Sequence, residues 1–352
     1  MAIRPLTPAW GWCEVSTLDG SERVVEGPYI DDLARGMVFD TAPPVTLTDG
    51  GAALHRAIVG GRLPMPVDRE MSASVLGESR WMAHPAYVWD VAIGQSTEVT
   101  QNVMANLFYR GFAFRRTPSL GDTLHTVTEV VGLKANRERK DRPPSGLVAL
   151  RITTRDQRER LVLDFWRCAM LPRRGADFAE RDDLTTVGQP FDEADLADAT
   201  SDWDLSALDR RAAERSAAPM SAGDRLDVRT GDVVTSAPEL ARLTMNLAAV
   251  HHDETYTGTG RLVYGGHAIG LALAQASRAL PGMLTVTAWH SCDHVGPVRE
   301  GDTLHSTVLV ESVQPVTQHL RRAHLRSRVT AMSDAKDQPR EVLDWRFVAL
   351  TL

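Results

Sequence analysis

Long runs rich in β-branched and aromatic residues, bounded by turn residues, recur along the chain and predict antiparallel strands. Four such runs lie in the first half of the sequence and four in the second. In order, they are "NLFYRGFAF", "DTLHTVTEVV", "GLVALRITT", "LVLDFWRCAML", "MLTVTAWHSC", "DTLHSTVLVESV", "HLRSRVTAM" and "EVLDWRFVALTL".

One apolar segment precedes each group of four runs and predicts a helix. These segments are Pro85–Thr97, "PAYVWDVAIGQST", and Gly266–Leu280, "GHAIGLALAQASRAL". Both carry apolar or small residues on nearly every side, a composition typical of a buried helix rather than of a surface one. Each half is therefore expected to place a helix inside the protein.

The two halves are related by a fixed offset in the sequence. "GDTLH" occurs at Gly121–His125 and at Gly301–His305, and "VLD" occurs at Val162–Asp164 and at Val342–Asp344, each pair 180 residues apart. Gln95 and Gln275 also differ by 180. Several anchors at one offset indicate a duplication.

A short element before each helix is also repeated, but at a different offset. "LTDGGAALH" ends at His55 and "LTMNLAAVH" ends at His251, 196 residues later. The first half therefore carries about sixteen extra residues after this element, which we expect to form a surface loop. Short strands within "GMVFD" (36–40) and "GDRLD" (223–227) are predicted to open the two copies.

One buried helix followed by four long strands in each copy predicts an α+β fold of the hot-dog type. Two copies in tandem would form a pseudo-dimer with one continuous sheet. We expect a first domain over 1–175 and a second over 223–352. Between them lies an acidic stretch over 176–222, poor in large apolar residues, which predicts a linker or a helix lying on the surface.

Composition excludes several functional classes. The net charge of −7, without a long basic stripe, argues against nucleic-acid binding. No apolar run is long enough to span a membrane, and the N-terminus lacks a signal-peptide pattern, so we expect a cytoplasmic protein. Three widely spaced cysteines (Cys13, Cys168 and Cys292) lack metal-ligand spacing and are typical of unpaired thiols in a reducing compartment.

His251 is the first candidate for chemistry. A histidine is a common acid–base catalyst, although a partly buried histidine that satisfies a loop carbonyl would give the same sequence. Its element recurs in both copies with a histidine at the end, His55 in the first. His252 and Asp253 add polar groups to the same loop.

The predicted second helix begins with glycines, at "YGGHAIG". A helix start offers unpaired N–H groups that stabilise developing negative charge, and Gly265 and Gly266 would let a carbonyl approach them, with His267 next to them. A tight turn with close packing would explain the same glycines.

The chain resembles the MaoC-like double hot-dog acyl-CoA dehydratases, and within them the mesaconyl-CoA hydratase subfamily. The resemblance rests on "VWDVAIGQST", "NVMANLFYRGFAF", "RLTMNLAAVHHDE", "RLVYGGHAIGLALAQASRALP" and "SCDHVGPVREGDTL", which span most of both halves. It implies a lyase that reversibly adds water to mesaconyl-CoA (2-methylfumaryl-CoA), giving β-methylmalyl-CoA. It leaves open the stereochemistry and which carboxyl bears the coenzyme.

The related R-specific enoyl-CoA hydratases carry an Asp-x-Asn-Pro-x-His motif whose Asp and His together activate water. Aligned with this motif, the histidine is His251, whereas Asn246 replaces the aspartate. An amide cannot take up a proton, so Asn246 is expected only to orient water or a carbonyl. Either His251 acts alone, or a nearby acid assists, with Asp253 as the first candidate and Asp49 as the second.

A mesaconyl group carries a free carboxylate that an arginine would bind, with Arg56, Arg62 and Arg110 as candidates. Asp293 and His294 interrupt an apolar strand, so they are expected either to pair with each other or to face the substrate. The basic run at 134–142 would either contact the coenzyme phosphates or form a solvated hairpin loop.

No dinucleotide fingerprint, phosphate-binding loop, metal-spaced cluster or nucleophile elbow is present, so we expect neither a cofactor nor a metal. Coenzyme A enters as part of the substrate. A homodimer is expected, since fused pseudo-dimers often pair again. The alternatives are a hot-dog thioesterase, a hydratase for another acyl group and an acyl-CoA-binding module without catalysis.

Overall fold

The computed structural model describes residues 14–17, 23–140, 142–175, 177–213, 220–256, 258, 260–334 and 338–352. In the first half, the strands are β1 (Glu14–Thr17), β2 (Arg23–Glu26), β3 (Val38–Phe39), β4 (Val45–Thr46), β5 (Ala105–Phe114), β6 (Thr123–Ala135), β7 (Ser145–Asp156) and β8 (Leu161–Pro172). In the second, they are β9 (Arg225–Asp227), β10 (Asp232–Val233), β11 (Met283–His294), β12 (Thr303–Pro315), β13 (Arg321–Met332) and β14 (Arg340–Thr351).

The α-helices are α1 (Asp49–Val59), α2 (Pro64–Val67), α3 (Arg69–Leu76), α4 (Pro85–Gln95), α5 (Glu193–Asp198), α6 (Leu205–Ala213), α7 (Ala237–Leu243) and α8 (Gly265–Ala279). Short 3-10 helices cover Ile30–Asp32, Ser96–Thr100, Leu184–Thr186 and Ala249–His251. The eight long predicted strands and both predicted buried helices are therefore present. The short predicted strands are present as β3 and β9.

The two halves share one antiparallel sheet, as predicted. Its strand order is β10-β12-β13-β14-β11-β5-β8-β7-β6-β3, with β4 beside β6 and β9 beside β12. The halves meet where β11 pairs with β5, in a register that places Trp289 opposite Phe112 and Ser291 opposite Arg110. Backbone hydrogen bonds continue across this junction, and the largest buried apolar cluster contains residues of both halves.

The helices α4 and α8 lie at the centre of that core. Every residue of α4 is buried, and so are most residues of α8, from Gly266 to Ser277. Helix α4 packs on β6 and β7, helix α8 packs on β12, β13 and β14, and the two helices contact each other. The nearly uniform apolar composition of both segments is explained by this contact with the protein on every side.

An aromatic cluster joins α4 to the junction of the halves. The indole of Trp89 lies edge-on to that of Trp289, with ring centroids 4.8 Å apart. Trp289 in turn stacks on Phe112 at 4.0 Å, and Trp345 meets both tryptophans edge-on. Buried aromatic pairs in these geometries each contribute about 0.5–1.5 kcal/mol beyond their buried area. The cluster fixes α4 against the paired edge strands of both halves.

The extra residues of the first half do not form the expected surface loop. They fold into α2 and α3 and bury Met65, Met71 and Val75. These side chains pack in a separate apolar cluster with Trp203 and Leu208. The expectation failed because the apolar residues of "LPMPVDREMSASVL" have a partner elsewhere in the chain that sequence spacing does not show.

The stretch between the halves supplies that partner. Its described part, 177–213, contains α5 and α6 and inserts Leu196, Trp203 and Leu208 into the protein. It is therefore a surface helix pair with apolar anchors, one of the two predicted alternatives. Cys168 and Cys292 are buried thiols, whereas Cys13 lies outside the described residues. No helix in the described ranges has the length and hydropathy needed to cross a bilayer.

Candidate active site at the junction of the two halves

A cavity of about 300 Å³ lies where the start of α8 meets the first half. The second half provides the loop before α8 and the segment after β11. The first half provides the end of α4, the start of β5 and one residue of β8. The polar and glycine lining residues are Thr97, Thr100, Asn106, Tyr109, Arg167, Asn246, His251, Tyr264, Gly265, His294 and Gly296.

His251 lines this cavity as a neutral imidazole, and a hydrogen bond to one ring nitrogen determines its tautomer. It ends a 3-10 turn, Ala249–His251, and its Nδ1 lies 3.0 Å from the carbonyl oxygen of Leu262. A carbonyl can only accept, so Nδ1 carries the proton and Nε2 carries a lone pair. Burial lowers the pKa of His251 to about 4, against 6.5 for an exposed histidine. His251 therefore has the protonation state of a general base at neutral pH.

Gly265 begins α8 beside this histidine. The residue before it, Tyr264, provides no side-chain cap, so the first N–H groups of the helix have no acceptor from that side chain. A Cβ on Gly265 would lie 2.6 Å from the His294 ring, which shows why a glycine is needed here. The helix start can therefore donate to an anion or carbonyl in the cavity.

His294, at the end of β11, is the second imidazole in the cavity. Its Nε2 is buried and has no hydrogen-bond partner among the described residues. Burial first, and the neighbouring His251 second, lower its pKa to about 4. Asp293 points elsewhere and pairs with Arg110 at 2.6 Å. Of the two predicted alternatives for this pair, the structure supports His294 facing the cavity.

Asn246 lines the cavity, and its side-chain oxygen forms a hydrogen bond within its own loop. Its Oδ1 accepts the backbone N–H of Ala248 at 2.9 Å, whereas its Nδ2 makes no hydrogen bond to a described residue. His252 donates from Nε2 to the Asn246 carbonyl at 2.6 Å and is absent from the described cavity lining. Asn246 is thus available as a donor toward water or substrate, whereas His252 holds the loop.

The structure argues against both predicted partner acids. Asp253 is exposed, and its carboxylate accepts hydrogen bonds from Thr255 in a local turn. Asp49 is exposed at the start of α1. Asp253 was predicted because it lies close to His251 in the sequence, but the 3-10 turn directs the residues after His251 outward. Neither carboxylate lines the described cavity.

A different acid, Asp90, lies behind the cavity wall. It is fully buried in α4, and its Oδ2 lies 2.8 Å from His55 Nε2. Its Oδ1 accepts a hydrogen bond from the Tyr264 hydroxyl at 3.1 Å. Burial raises the pKa of Asp90, and its hydrogen bonds oppose that shift. In the sequence, Asp90 is the single acid inside the otherwise apolar segment "AYVWDVAIG", and this pattern could have identified it as a buried acid.

His55 accordingly lies away from the cavity lining, within α1 rather than in a loop. Gly266 packs against Asp90 and the Tyr264 ring, and a Cβ at this position would clash with both. His267 is fully buried, and both of its ring nitrogens are unpaired within the described part of the chain. Burial lowers the pKa of His267 to about 4. These three predicted residues belong to the packing around the site.

Arg167, on β8, is a cavity residue that sequence reasoning missed. It is 3% exposed and donates from Nη2 to the Ser96 carbonyl and to Thr100 Oγ1, both at 2.9 Å. Burial lowers its pKa. A guanidinium buried in a cavity wall is unusual, which makes Arg167 a candidate functional residue.

The arginines predicted to bind a carboxylate lie elsewhere. Arg56 and Arg62 are exposed, and Arg110 pairs with Asp293 and stacks over Phe108 at 4.5 Å. The basic run is an exposed hairpin end over 137–140 and contributes nothing to the described cavity lining. Among the described residues, no cluster of histidines, cysteines and acids could hold a metal ion.

No family model matches the chain. β-Methylmalyl-CoA dehydratase from Chloroflexus aurantiacus is 27% identical over 325 residues, 89% of this chain and 90% of the relative. Mesaconyl-CoA hydratase from Cereibacter sphaeroides is 28% identical over 345 residues, 92% of this chain and 98% of the relative. These names confirm the resemblance inferred from the sequence.

The solved structure of RV0216 from Mycobacterium tuberculosis, a conserved protein described as having a double hot-dog fold, matches the whole architecture. It is 50% identical, with a TM-score of 0.83, and the match covers 93% of this chain and 99% of that protein. Identity and coverage at this level, together with the two-half sheet, establish the relationship. The chain therefore belongs to the same double hot-dog family as RV0216.

Proposed function

We propose that this protein is an acyl-CoA hydratase that reversibly adds water to mesaconyl-CoA, giving β-methylmalyl-CoA. One observation carries the proposal: His251 presents an unprotonated Nε2 in a cavity that also contains the start of α8. Hydration of an enoyl thioester needs a base for water and a donor for the thioester oxygen. Both requirements are met in one place.

His251 would act on the water. Its Nδ1–H bond to Leu262 leaves Nε2 as the acceptor, and its lowered pKa keeps it neutral at pH 7. Nε2 takes a proton from water as the oxygen bonds to the β-carbon. The electron pair of the double bond moves toward the thioester and forms an enolate. The same imidazolium can then return its proton to the α-carbon, which balances the reaction.

The start of α8 would stabilise the enolate. The first N–H groups of α8, beginning with that of Gly265, lie at the positive end of a fifteen-residue helix. Donors fixed before the reaction stabilise charge that develops only in the transition state, an effect worth about 2.7–4 kcal/mol for one donor. Gly265 carries no Cβ that would block a thioester from reaching these groups.

His294 and Asn246 would complete the proton chemistry. His294 holds an unpartnered Nε2 beside Gly265, so it is the group best placed to assist His251 in place of the family aspartate. Asn246 offers Nδ2 as a donor that can orient the water, but it cannot accept the proton. The reaction as proposed is redox-neutral and uses only imidazoles and backbone N–H groups, so it requires neither a cofactor nor a metal. The substrate is the expected acyl-CoA partner.

The direct test is to mix the purified protein with mesaconyl-CoA. We expect loss of the enoyl thioester absorbance without release of free thiol. Free thiol would instead indicate the thioesterase, and binding without either change would indicate a non-catalytic module; both outcomes would overturn the proposal.

A variant pair tests the role of His251. His251→Ala should lower kcat by about 10²- to 10⁴-fold, the usual range for a lost acid–base group. His125→Ala, at a partly exposed histidine of β6 outside the described lining, is the matched control and should retain most of the activity. Equal losses in the two variants would show that the imidazole of His251 has no specific role.

A further inference from the structure

The guanidinium of Arg167 has no acidic partner among the described residues. Other arginines on the long strands have an acidic partner: Arg151 pairs with Asp164 at 2.8 Å, and Arg326 pairs with Asp344. Arg167 instead contacts only neutral oxygens, although it is 3% exposed. A cation buried without an opposite charge is costly, because protein dipoles replace its hydration only in part.

Arg167 and Asn106 both carry hydrogen-bond donors that are weakly bonded or unsatisfied. Nη1 of Arg167 has only a 3.5 Å contact with Asn106 Oδ1, and its Nε has no partner in the described structure. Asn106 lines the same cavity, and its Nδ2 is likewise buried without a described acceptor. The local arrangement thus combines one positive charge with surplus donors and lacks acceptors. A ligand that supplies negatively charged oxygens would satisfy all of them.

The second half lacks this arrangement. At the position of Arg167, 180 residues later in the duplicated sequence, stands Phe347, which is fully buried and stacks on Trp345 with ring centroids 3.9 Å apart. The fold therefore accepts an aromatic residue at this point of the strand. Packing of the sheet alone does not require an arginine here.

We propose that Arg167 and Asn106 form a subsite for a carboxylate at the end of the acyl chain remote from the thioester. The inference rests on the proposed function, which places the thioester at the start of α8, in the same cavity. The guanidinium can donate to a carboxylate oxygen from Nε or Nη1, the nitrogens that Ser96 and Thr100 leave available, and the Asn106 amide can donate to the second oxygen. The site thereby selects monothioesters of short dicarboxylic acids over neutral acyl groups.

Selection would come from both attraction and exclusion. A carboxylated chain neutralises Arg167 and satisfies its donors. A neutral chain of the same length places a methyl group against the charge and displaces any water that solvates it. Sites built to bind a polar group reject analogues that lack it, because their own buried groups are left unpaired.

The test compares two saturated thioesters that cannot be hydrated, succinyl-CoA and butyryl-CoA. Both have four-carbon acyl chains, and they differ in a terminal carboxylate or methyl group. By calorimetry, wild-type protein should bind succinyl-CoA at least about tenfold more tightly, given the strength of hydrogen bonds to charged groups. Arg167→Met should abolish that preference, and Asn106→Leu should reduce it.

The control is Arg328→Met, since Arg328 is an exposed strand arginine paired with Glu341, remote from the cavity lining. It should retain the preference of the wild type. Arg167→Lys provides a second variant that keeps the charge without the planar fork, and it should show an intermediate preference. Equal affinity of wild-type protein for the two thioesters, or an unchanged preference in Arg167→Met, would overturn the subsite.

This comparison separates the subsite from the hydratase proposal. If mesaconyl-CoA is not hydrated but succinyl-CoA binding depends on Arg167, the subsite is supported and the proposed reaction fails. If mesaconyl-CoA is hydrated equally well by wild type and Arg167→Met, the reaction is supported and the subsite fails.

Discussion

The Asp90 carboxylate, on the central helix of the first half, accepts a hydrogen bond from the Tyr264 hydroxyl at the start of the other central helix, 3.1 Å away. Its second oxygen pairs with His55 Nε2 at 2.8 Å. The Tyr264 ring lies edge-on to His251, with centroids 5.8 Å apart. The first half therefore supports the wall against which the proposed base rests, through residues that do not line the cavity themselves.

This relationship predicts energetic coupling between Asp90 and Tyr264. Asp90→Asn and Tyr264→Phe should each lower the free energy of unfolding by about 1 kcal/mol or more, the usual value for a buried hydrogen bond. The double variant should lose less than the sum, because both changes break the same bond. Urea unfolding of the four proteins measures the coupling. Strictly additive losses would mean that the bond contributes nothing.

The fold was largely predictable because its signals are local and repeated. Strand runs such as "DTLHTVTEVV" and "DTLHSTVLVESV" carry their own β-forming composition, and the duplication supplied each signal twice. The apolar segment around Trp89 indicated a buried helix for the same reason. The helices α2 and α3 were missed because the residues that cover them lie more than a hundred positions later in the chain.

The candidate site was less predictable because it is assembled from both halves. His251, Asn246, Gly265 and His294 lie close together in the cavity, and each was identified from the sequence. Arg167 was not, since a strand arginine has no local feature that shows burial. Sequence proximity also favoured Asp253, whose side chain the backbone turn directs into solvent.

Gly265 should tolerate no side chain. Gly265→Ala would place a Cβ 2.6 Å from the His294 ring, so the ring must shift out of the cavity geometry. We expect a loss of hydratase activity of about 10²-fold or more, since misplacing a group by about 1 Å can cost that much. Steady-state kinetics with mesaconyl-CoA provide the measurement.

Gly50→Ala is the matched control. Gly50 lies in α1, and an added Cβ would meet no described atom within 4 Å, so alanine should be neutral or slightly stabilising there. Full activity in Gly265→Ala would contradict the close approach of His294.

The activity should depend on the neutral form of His251. Its pKa of about 4 means that the imidazole loses its catalytic form only as the pH falls through that value. We therefore expect kcat/KM to be constant near neutral pH and to decline below about pH 5, limited by the stability of the protein. His294 has a similarly lowered pKa, so the profile of His294→Asn should be compared. An acid limb near pH 6.5 would show that His251 is not desolvated.

Buried neutral histidines should make the protein sensitive to acid. The folded pKa of His267 is about 4, below the 6.5 of an exposed histidine, because burial disfavours its charged form. Between these values the unfolded chain binds the proton and the native state does not. The free energy of unfolding is therefore highest, as far as these histidines are concerned, above about pH 6.5. It falls as the pH drops toward 4, by up to about 1.4 kcal/mol per pH unit for each such group.

His267→Gln isolates one of these contributions, since His267 lies outside the described cavity lining. The slope of unfolding free energy against pH between 4 and 6.5 should become shallower in the variant, whatever its stability at pH 7. Urea titrations at several pH values give the slope. An unchanged slope would mean that His267 is protonated in the folded protein.

Only one of the two duplicated sites should bind the substrate. At the equivalent location, Pro85 replaces Gly265 at the start of the central helix and has no N–H to donate. Phe347, which is buried, replaces Arg167 there. The counterpart of His251, His55, is committed to Asp90. The equivalent location therefore lacks the helix donor, the cation and the free imidazole. Calorimetric titration with succinyl-CoA should give one molecule bound per chain, and Arg167→Met should weaken that binding to the level of butyryl-CoA. Two equivalent molecules per chain would contradict the assignment of the first half to a supporting role.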